Sequence, residues 1–232
     1  MFCHFLTFTH PDPQARLGDD GHDHLAALIR RIPGLARAHL MSPATARDRY
    51  IDDGPPPMLA LQLYYERLET LEQATGADGA LLKLANAMPP TLADADASQQ
   101  VMWTRPYPTP SSSTTAPAEA QRSCSFLVHY PGEAEDLNQW LTYYLQHHPQ
   151  VMFHFPAIRE IEIYTRVDWI DALPWPRVHY FQRNKIVFDS AAALETALHS
   201  PTREAMKADR AHFPPFTGGN VHHPMLTETI VG

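Results

Sequence analysis

Cysteine is scarce in this sequence, with only Cys3 and Cys124 among 232 residues. Two thiols cannot form the disulfide framework of a small secreted domain, and we expect both to be buried and reduced. Long apolar runs are missing as well: none approaches the roughly 20 residues that cross a bilayer. The first residues, MFCHFLTFTHPDP, lack the basic and apolar regions of a signal peptide. We therefore expect a cytoplasmic protein without a membrane partner.

Positive charge is also in short supply, because 18 Lys and Arg face 26 Asp and Glu, a net charge of −8. Nucleic-acid affinity depends on cations that neutralise phosphates, so we expect no nucleic-acid partner. The sequence has no Gly-rich phosphate loop, no Cys-Xxx-Xxx-Cys pair and no serine-nucleophile elbow. These absences disfavour nucleotide cofactors and covalent catalysis, and we expect no cofactor.

An internal repeat is present. Residues of the same type or character recur 123 positions apart, as in His24 and His147, Pro33 and Pro156, and Tyr65 and Phe188. In each half, the alternation and helical spacing of apolar residues predict the order βαββαβ. The predicted fold class is therefore α+β, with two ferredoxin-like units at 1–107 and 122–232. A Pro-, Ser- and Thr-rich linker at 108–121 separates them.

One helix of the second unit has a clear apolar stripe, formed by Leu137, Trp140, Leu141 and Tyr144. We expect this helix to cover about 133–146 and to end near Pro149, because the residue before a proline is disfavoured in the α region. A strand is expected at 158–167.

Several separated motifs of the second half occur in the order that is typical of the EthD family. They are Tyr143-Tyr144, His147-His148-Pro149, Pro156-Ala157-Ile158, Phe188-Asp189-Ser190, Ala193-Leu194, Ser200-Pro201, Ala208-Asp209 and Phe213. The second half therefore resembles an EthD-like domain. In the first half only His24 and Pro33-Gly34-Leu35 keep this pattern, so that unit looks like a degenerate EthD-like copy.

The resemblance implies an architecture. EthD-like proteins pack two four-stranded sheets face to face across a homodimer, with helices outside. Two such units on one chain imply an intramolecular dimeric α+β barrel. Association into a homo-oligomer stays an open alternative.

His147 is the predicted catalytic residue, since it is the family-like histidine, and imidazole suits general acid–base work. We expect it to remove a proton next to a carbonyl, with Tyr144, His129 or Tyr130 donating a hydrogen bond to the enolate. His148 lies one residue on and could exchange roles with it. The alternative is a histidine that caps the helix C-terminus.

Further ligand-binding candidates are His24, the repeat partner of His147, and three aromatic residues, Trp140, Tyr164 and Phe188. Such aromatic residues could line a cavity for a flat ligand, although core packing is the more common role. The histidine pairs lack a third metal ligand at a suitable spacing, so no metal is predicted.

We therefore predict a protein that binds a small aromatic or enolisable metabolite in the barrel. The favoured activity is a cofactor-independent isomerase, lyase or cyclase that uses histidine acid–base chemistry in a catabolic or biosynthetic pathway. The first alternative is a non-catalytic small-molecule-binding or accessory protein. A haem-binding or monooxygenase-like barrel is a weaker alternative.

Overall fold

A computed structural model describes residues 1–110 and 122–231. Within these ranges the first half forms β1 (Phe2–Thr9), α1 (Asp19–Ile29), β2 (Arg37–Pro43), β3 (Leu59–Tyr65), α2 (Leu68–Thr75), α3 (Ala80–Ala85), a 3-10 turn (Pro90–Leu92) and β4 (Asp96–Tyr107). The second half forms β5 (Arg122–Tyr130), α4 (Leu137–Met152), β6 (Glu160–Arg166), β7 (Gln182–Phe188), α5 (Ala191–Leu198), α6 (Pro201–Arg210) and β8 (Val221–Val231). Most of the predicted linker, residues 111–121, falls outside the described ranges.

The eight strands close into one barrel in the order β1-β3-β2-β8-β5-β7-β6-β4, and all neighbours are antiparallel. The strands of the first half are consecutive neighbours in the order β4-β1-β3-β2. Those of the second half follow the same order, β8-β5-β7-β6. The pairs β2·β8 and β4·β6 join the two sets and close the sheet. The predicted α+β class is confirmed, with a closed sheet.

Apolar side chains alternate between the two faces of each strand, as the period of two requires. Along β1, Leu6 and Phe8 pack with the first-half helices, whereas Cys3 and Phe5 lie in the barrel interior. In the second half, residues such as Phe126 pack under α4 to α6. Cys124 belongs to this helix-side core, and both cysteines are buried and unpaired, as expected.

The prediction that α4 ends near Pro149 is wrong, because the helix continues through this proline to Met152. Proline has no backbone N–H, so the carbonyl of Leu145, four residues earlier, loses its helical partner. The Tyr107 hydroxyl donates to that carbonyl at 3.1 Å. A residue from β4 thus satisfies the group that the proline leaves open, and the helix is not interrupted.

None of the helices in the described ranges combines the length and the apolar character that crossing a membrane requires.

Candidate functional site

The barrel interior, where we expected the ligand, contains a buried polar cluster. The Lys185 ammonium has no exposed area and lies 2.9 Å from a carboxylate oxygen of both Glu160 and Glu162. Tyr64 and Tyr164 donate their hydroxyl hydrogens to Glu162 at 2.7 and 2.5 Å. These contacts pair the charged groups of the barrel interior with one another, and the expectation of a ligand inside the barrel stays a prediction.

A cavity of about 140 Å³ lies instead outside the barrel, between the outer face of the second-half sheet and α4, α5 and α6. Its apolar lining comes from both layers and comprises Phe126, Val128, Met152, Phe155, Ile186 and Leu198. Tyr50 and Ile51, in the loop between β2 and β3, complete it from the first half. An apolar cavity with a few polar groups is the usual form of a small-molecule site.

His148 is the polar group that α4 places in this cavity. Its side chain is buried, and its Nδ1 lies 2.6 Å from Oδ2 of Asp209 on α6. Burial lowers the pKa of His148, although the neighbouring Asp209 opposes this shift. The imidazole is therefore held neutral, with its Nδ1–H donated to the carboxylate and Nε2 left as the basic nitrogen.

The Asp209 carboxylate is held by more than one partner. Tyr143 donates its hydroxyl hydrogen to the other oxygen, Oδ1, at 2.9 Å. Burial raises the pKa of Asp209, but the hydrogen bonds from His148 and Tyr143 outweigh this effect and lower it. The carboxylate stays ionised beside the imidazole, which is the arrangement that orients a histidine base.

A chain of buried hydrogen bonds crosses the sheet side of the cavity. The Asn184 Nδ2 donates to the Tyr144 hydroxyl at 2.6 Å, and Tyr144 is hydrogen bonded to Tyr130. Asn184 is 2% exposed and its Oδ1 has no partner among the described residues. Because a buried unpaired acceptor costs about 1–3 kcal/mol, this oxygen favours a ligand that carries a donor.

Tyr130 is the phenol at the cavity surface. Burial raises its pKa to about 12, while hydrogen bonds from Tyr144 and Asn220 act in the opposite direction. It therefore remains a phenol at neutral pH, with an O–H that is available to a ligand oxygen.

The loop between β2 and β3 is tied to the second half by charged contacts beside the cavity. Asp48 lies 2.5 Å from Arg203 of α6, and Asp53 lies 2.7 Å from Nδ1 of His222 on β8. Both Arg203 and His222 line the cavity. The loop is therefore part of the site wall.

Two cations at the outer edge of the cavity, Lys207 and Arg210 on α6, are exposed. Neither forms an ion pair within 1–110 and 122–231; Lys207 instead lies 4.4 Å from the centre of the Tyr50 ring. They place two positive charges at this edge of the cavity.

The structure places His147 and His148 in opposite environments. His147 is exposed and its ring lies 4.5 Å from that of Tyr143, outside the cavity lining. Neighbours on a helix point about 100° apart, so the continued helix turns only His148 inward. The catalytic role predicted for His147 stays a prediction, but its position at a cavity edge is not observed.

The structure brings together some of the other predicted residues. Tyr130 lines the cavity with His148, and Tyr144 and Trp140 form the layer behind Tyr130, with their rings stacked 4.7 Å apart.

The remaining candidates are scattered. His24 is exposed on α1 and contacts the Ala87 carbonyl at 3.0 Å. His129 lies in the barrel interior beside Arg183, and Tyr164 belongs to the Glu162 cluster. Phe188 is buried in the second-half core against Phe155. These four residues do not lie in the cavity.

Sequence reasoning missed Asn184, Arg203 and His222, and it gave Asp209 no role in the site beyond its place in a motif. Asp209 lies near the end of α6, and its carboxylate contacts Tyr143 and His148. The Ala208-Asp209 motif was the available signal for this residue. His222 and Asp53 are 169 positions apart, so no spacing rule could have joined them.

No group of His, Cys, Asp and Glu in the described ranges has the arrangement of a metal site. Haem binding, the weaker alternative above, stays a prediction.

No family model and no curated protein matches the sequence. Solved structures do share its fold. An anthrone oxidase-like protein superposes with a TM-score of 0.60 at 12% identity, over 99% of this chain and 93% of that one. A protein proposed to be a monooxygenase, from Fusobacterium nucleatum, also gives 0.60, at 6% identity, over 98% of this chain and 91% of that one.

A mutant chlorite dismutase from Candidatus Nitrospira defluvii gives a TM-score of 0.52 at 13% identity, over 97% of this chain and 90% of that one. An EthD family protein from Bacillus halodurans matches 42% of this chain with a TM-score of 0.33, which supports no conclusion. At these identities the likeness concerns the fold alone, a mixed α+β protein with a closed sheet.

Proposed function

We propose that this protein binds a small aromatic or enolisable compound in the cavity beneath α4 and α6, and acts on it as a cofactor-independent isomerase, lyase or cyclase. The observation that carries this proposal is the His148–Asp209 pair in the cavity wall, at 2.6 Å. A neutral buried imidazole oriented by a carboxylate is suited to removing a proton from carbon, and such catalysis typically contributes 10²–10⁴-fold.

The groups around His148 match the other needs of this chemistry. The Tyr130 hydroxyl would donate a hydrogen bond to the oxygen on which negative charge develops. Asn184 Oδ1 would accept from a hydroxyl of the ligand, and Lys207 and Arg210 would attract an anionic ligand. We infer a ligand that is flat, largely apolar and hydroxylated.

The internal repeat belongs to the same proposal. We infer that the chain arose by duplication of a βαββαβ unit, and the shared strand order of the two halves supports this. Among the described residues, it is the second half that combines the cavity with a His–Asp pair from its own helices, so it would carry the active site. Cytoplasmic location and further association of chains stay predictions.

The test is a panel of hydroxylated aromatic ketones, lactones and anthrones, scored by thermal shift and by product analysis with and without air. A ligand at 100 times its Kd should stabilise the protein by about 2.7 kcal/mol. His148→Ala should keep binding and lose turnover by about 10²-fold or more. His147→Ala is the matched control, because it removes the adjacent, exposed imidazole of the same helix.

If His147→Ala abolishes turnover and His148→Ala does not, the base is the residue that the sequence predicted. A product that forms only in air would favour a monooxygenase-like reaction. If ligands bind and no variant or wild-type protein converts them, the second candidate holds, a non-catalytic binding protein. The mostly apolar lining of the cavity favours that candidate.

A further inference from the structure

A second His–Asp pair lies beside the same cavity, which its histidine lines. Oδ2 of Asp53 is 2.7 Å from Nδ1 of His222 and accepts the backbone N–H of the same residue at 2.9 Å. The His222 ring stacks on Phe126, with centroids 5.4 Å apart, and both residues line the cavity. The imidazole is therefore fixed in position by its backbone, a carboxylate and an aromatic ring.

This pair has the same chemical arrangement as His148–Asp209. In both, Nδ1 faces a carboxylate, which leaves Nε2 as the nitrogen that can exchange protons with a ligand. Nε2 of His222 lies 3.3 Å from Nδ2 of Asn220, an amide donor. That contact assigns the proton of neutral His222 to Nδ1.

The two imidazoles come from different layers, His148 from α4 and His222 from β8, and they are close enough to influence each other. The charge of His222 contributes to lowering the pKa of His148, and Arg203 acts on both histidines in the same direction. The first half supplies Asp53, so the second pair exists only because the β2–β3 loop reaches across the cavity.

We propose that His222 is a second acid–base group, an inference that rests on the proposed function. The reaction is then an isomerisation that moves a proton between two positions of a cyclic, enolisable ketone. His148 Nε2 takes a proton from carbon: a C–H bond breaks, an N–H bond forms, and the electron pair passes into the enolate. His222 takes a proton from water at Nε2 once the Asn220 amide has turned away, is stabilised in its charged form by Asp53, and gives that proton to a second carbon. Each histidine then exchanges one proton with solvent.

The experiment uses the full chain in D2O with two probes, a β,γ-unsaturated bicyclic ketone and its hydroxylated form. Conversion to the conjugated isomer is followed by ultraviolet absorbance, and deuterium exchange at the carbon next to the carbonyl by NMR. His222→Gln should reduce conversion by about 10²-fold and leave exchange within about threefold of wild type. His148→Gln should reduce both reactions together.

Asp53 acts through His222 and is a positioning residue. Asp53→Asn keeps an acceptor for the two N–H groups but removes the negative charge. We expect conversion to fall about 10-fold while exchange persists, and this milder variant replaces His222→Gln if that protein does not fold.

The outcomes separate the two proposals. If His148→Gln abolishes both reactions and the His222 and Asp53 variants behave like wild type, the proposed function stands and the second acid–base group is refuted. If exchange and conversion fall in parallel in His222→Gln and Asp53→Asn, their role is structural and the inference is also refuted. A wild-type protein that neither exchanges nor converts the probes refutes this inference, whereas the proposed function is refuted only if the wider panel of compounds also neither binds nor reacts.

Discussion

Replacing Lys185 by methionine is the sharpest test of how the barrel is held together. Methionine keeps the length and apolar stem of the side chain but removes the ammonium that pairs with Glu160 and Glu162. Removing one partner of a buried ion pair typically costs about 3–5 kcal/mol, because the other charge is left without compensation. Arg37 remains beside Glu162, so we expect a loss near the lower limit, about 3 kcal/mol.

The assay is urea unfolding followed by circular dichroism at pH 7, together with the melting temperature, which should fall by about 6–12 °C for a chain of this size. Arg159→Ala is the control: it breaks an ion pair of similar length, 2.5 Å to Asp189, but both side chains are about half exposed. An exposed pair is worth less than about 1 kcal/mol.

A second control replaces both partners. Lys185→Met with Glu162→Gln removes the orphaned charge and should recover part of the lost stability. The reasoning is refuted if Lys185→Met costs no more than Arg159→Ala, or if the double variant is as unstable as the two single losses added.

Acid should also destabilise the protein, and so should a side chain at Gly132, which packs against the turn that leads into β8. Burial lowers the pKa of His4 and of His223 to about 4, so both are neutral in the folded state at neutral pH. As pH falls from 6.5 to about 4, these histidines take up protons in the unfolded chain but not in the folded one. The free energy of unfolding should therefore drop by up to about 1.4 kcal/mol per pH unit for each histidine. Urea titrations at pH 7, 6 and 5 measure this loss of stability. The His4→Gln variant should show a smaller loss over the same range, and a free energy of unfolding that does not change with pH would contradict the prediction. A Cβ on Gly132 would lie 2.0 Å from the Thr217 carbonyl oxygen, a backbone atom, so Gly132→Ala should cost about 3 kcal/mol. At Gly219 a Cβ would meet open space, and only the positive φ is strained, so Gly219→Ala should cost about 1 kcal/mol in the same denaturation assay. Equal losses of stability in the two variants would show that the contact between Gly132 and Thr217 relaxes freely.

Local patterns were enough to predict much of the fold. The stripe of Trp140 and Tyr144 predicted a helix on a core, and both side chains are fully buried there. Alternation along the segment that became β3 predicted a strand, since a period of two places alternate side chains on opposite faces. Such patterns reflect interactions within a few residues, and these are encoded directly in the order of the chain.

The site depended on contacts that no local pattern records. Tyr107 of β4 satisfies the Leu145 carbonyl, so α4 passes Pro149, and it is His148 rather than His147 that reaches the cavity. The repeat and the histidine-rich helix end therefore pointed to the helix that lines the cavity, and the choice between its two histidines stays a prediction.

The sequence by itself determined the α+β class, the order of elements, and the helix that contributes a cavity histidine. Only the tertiary structure decided that the barrel interior holds the Glu162 cluster, that a cavity lies on the helix side, and that Asp53 meets His222 across 169 positions. The physical reason is that helix and strand periodicity arises between near neighbours, whereas pairing of buried charges and closure of a cavity depend on which distant segments the barrel brings into contact.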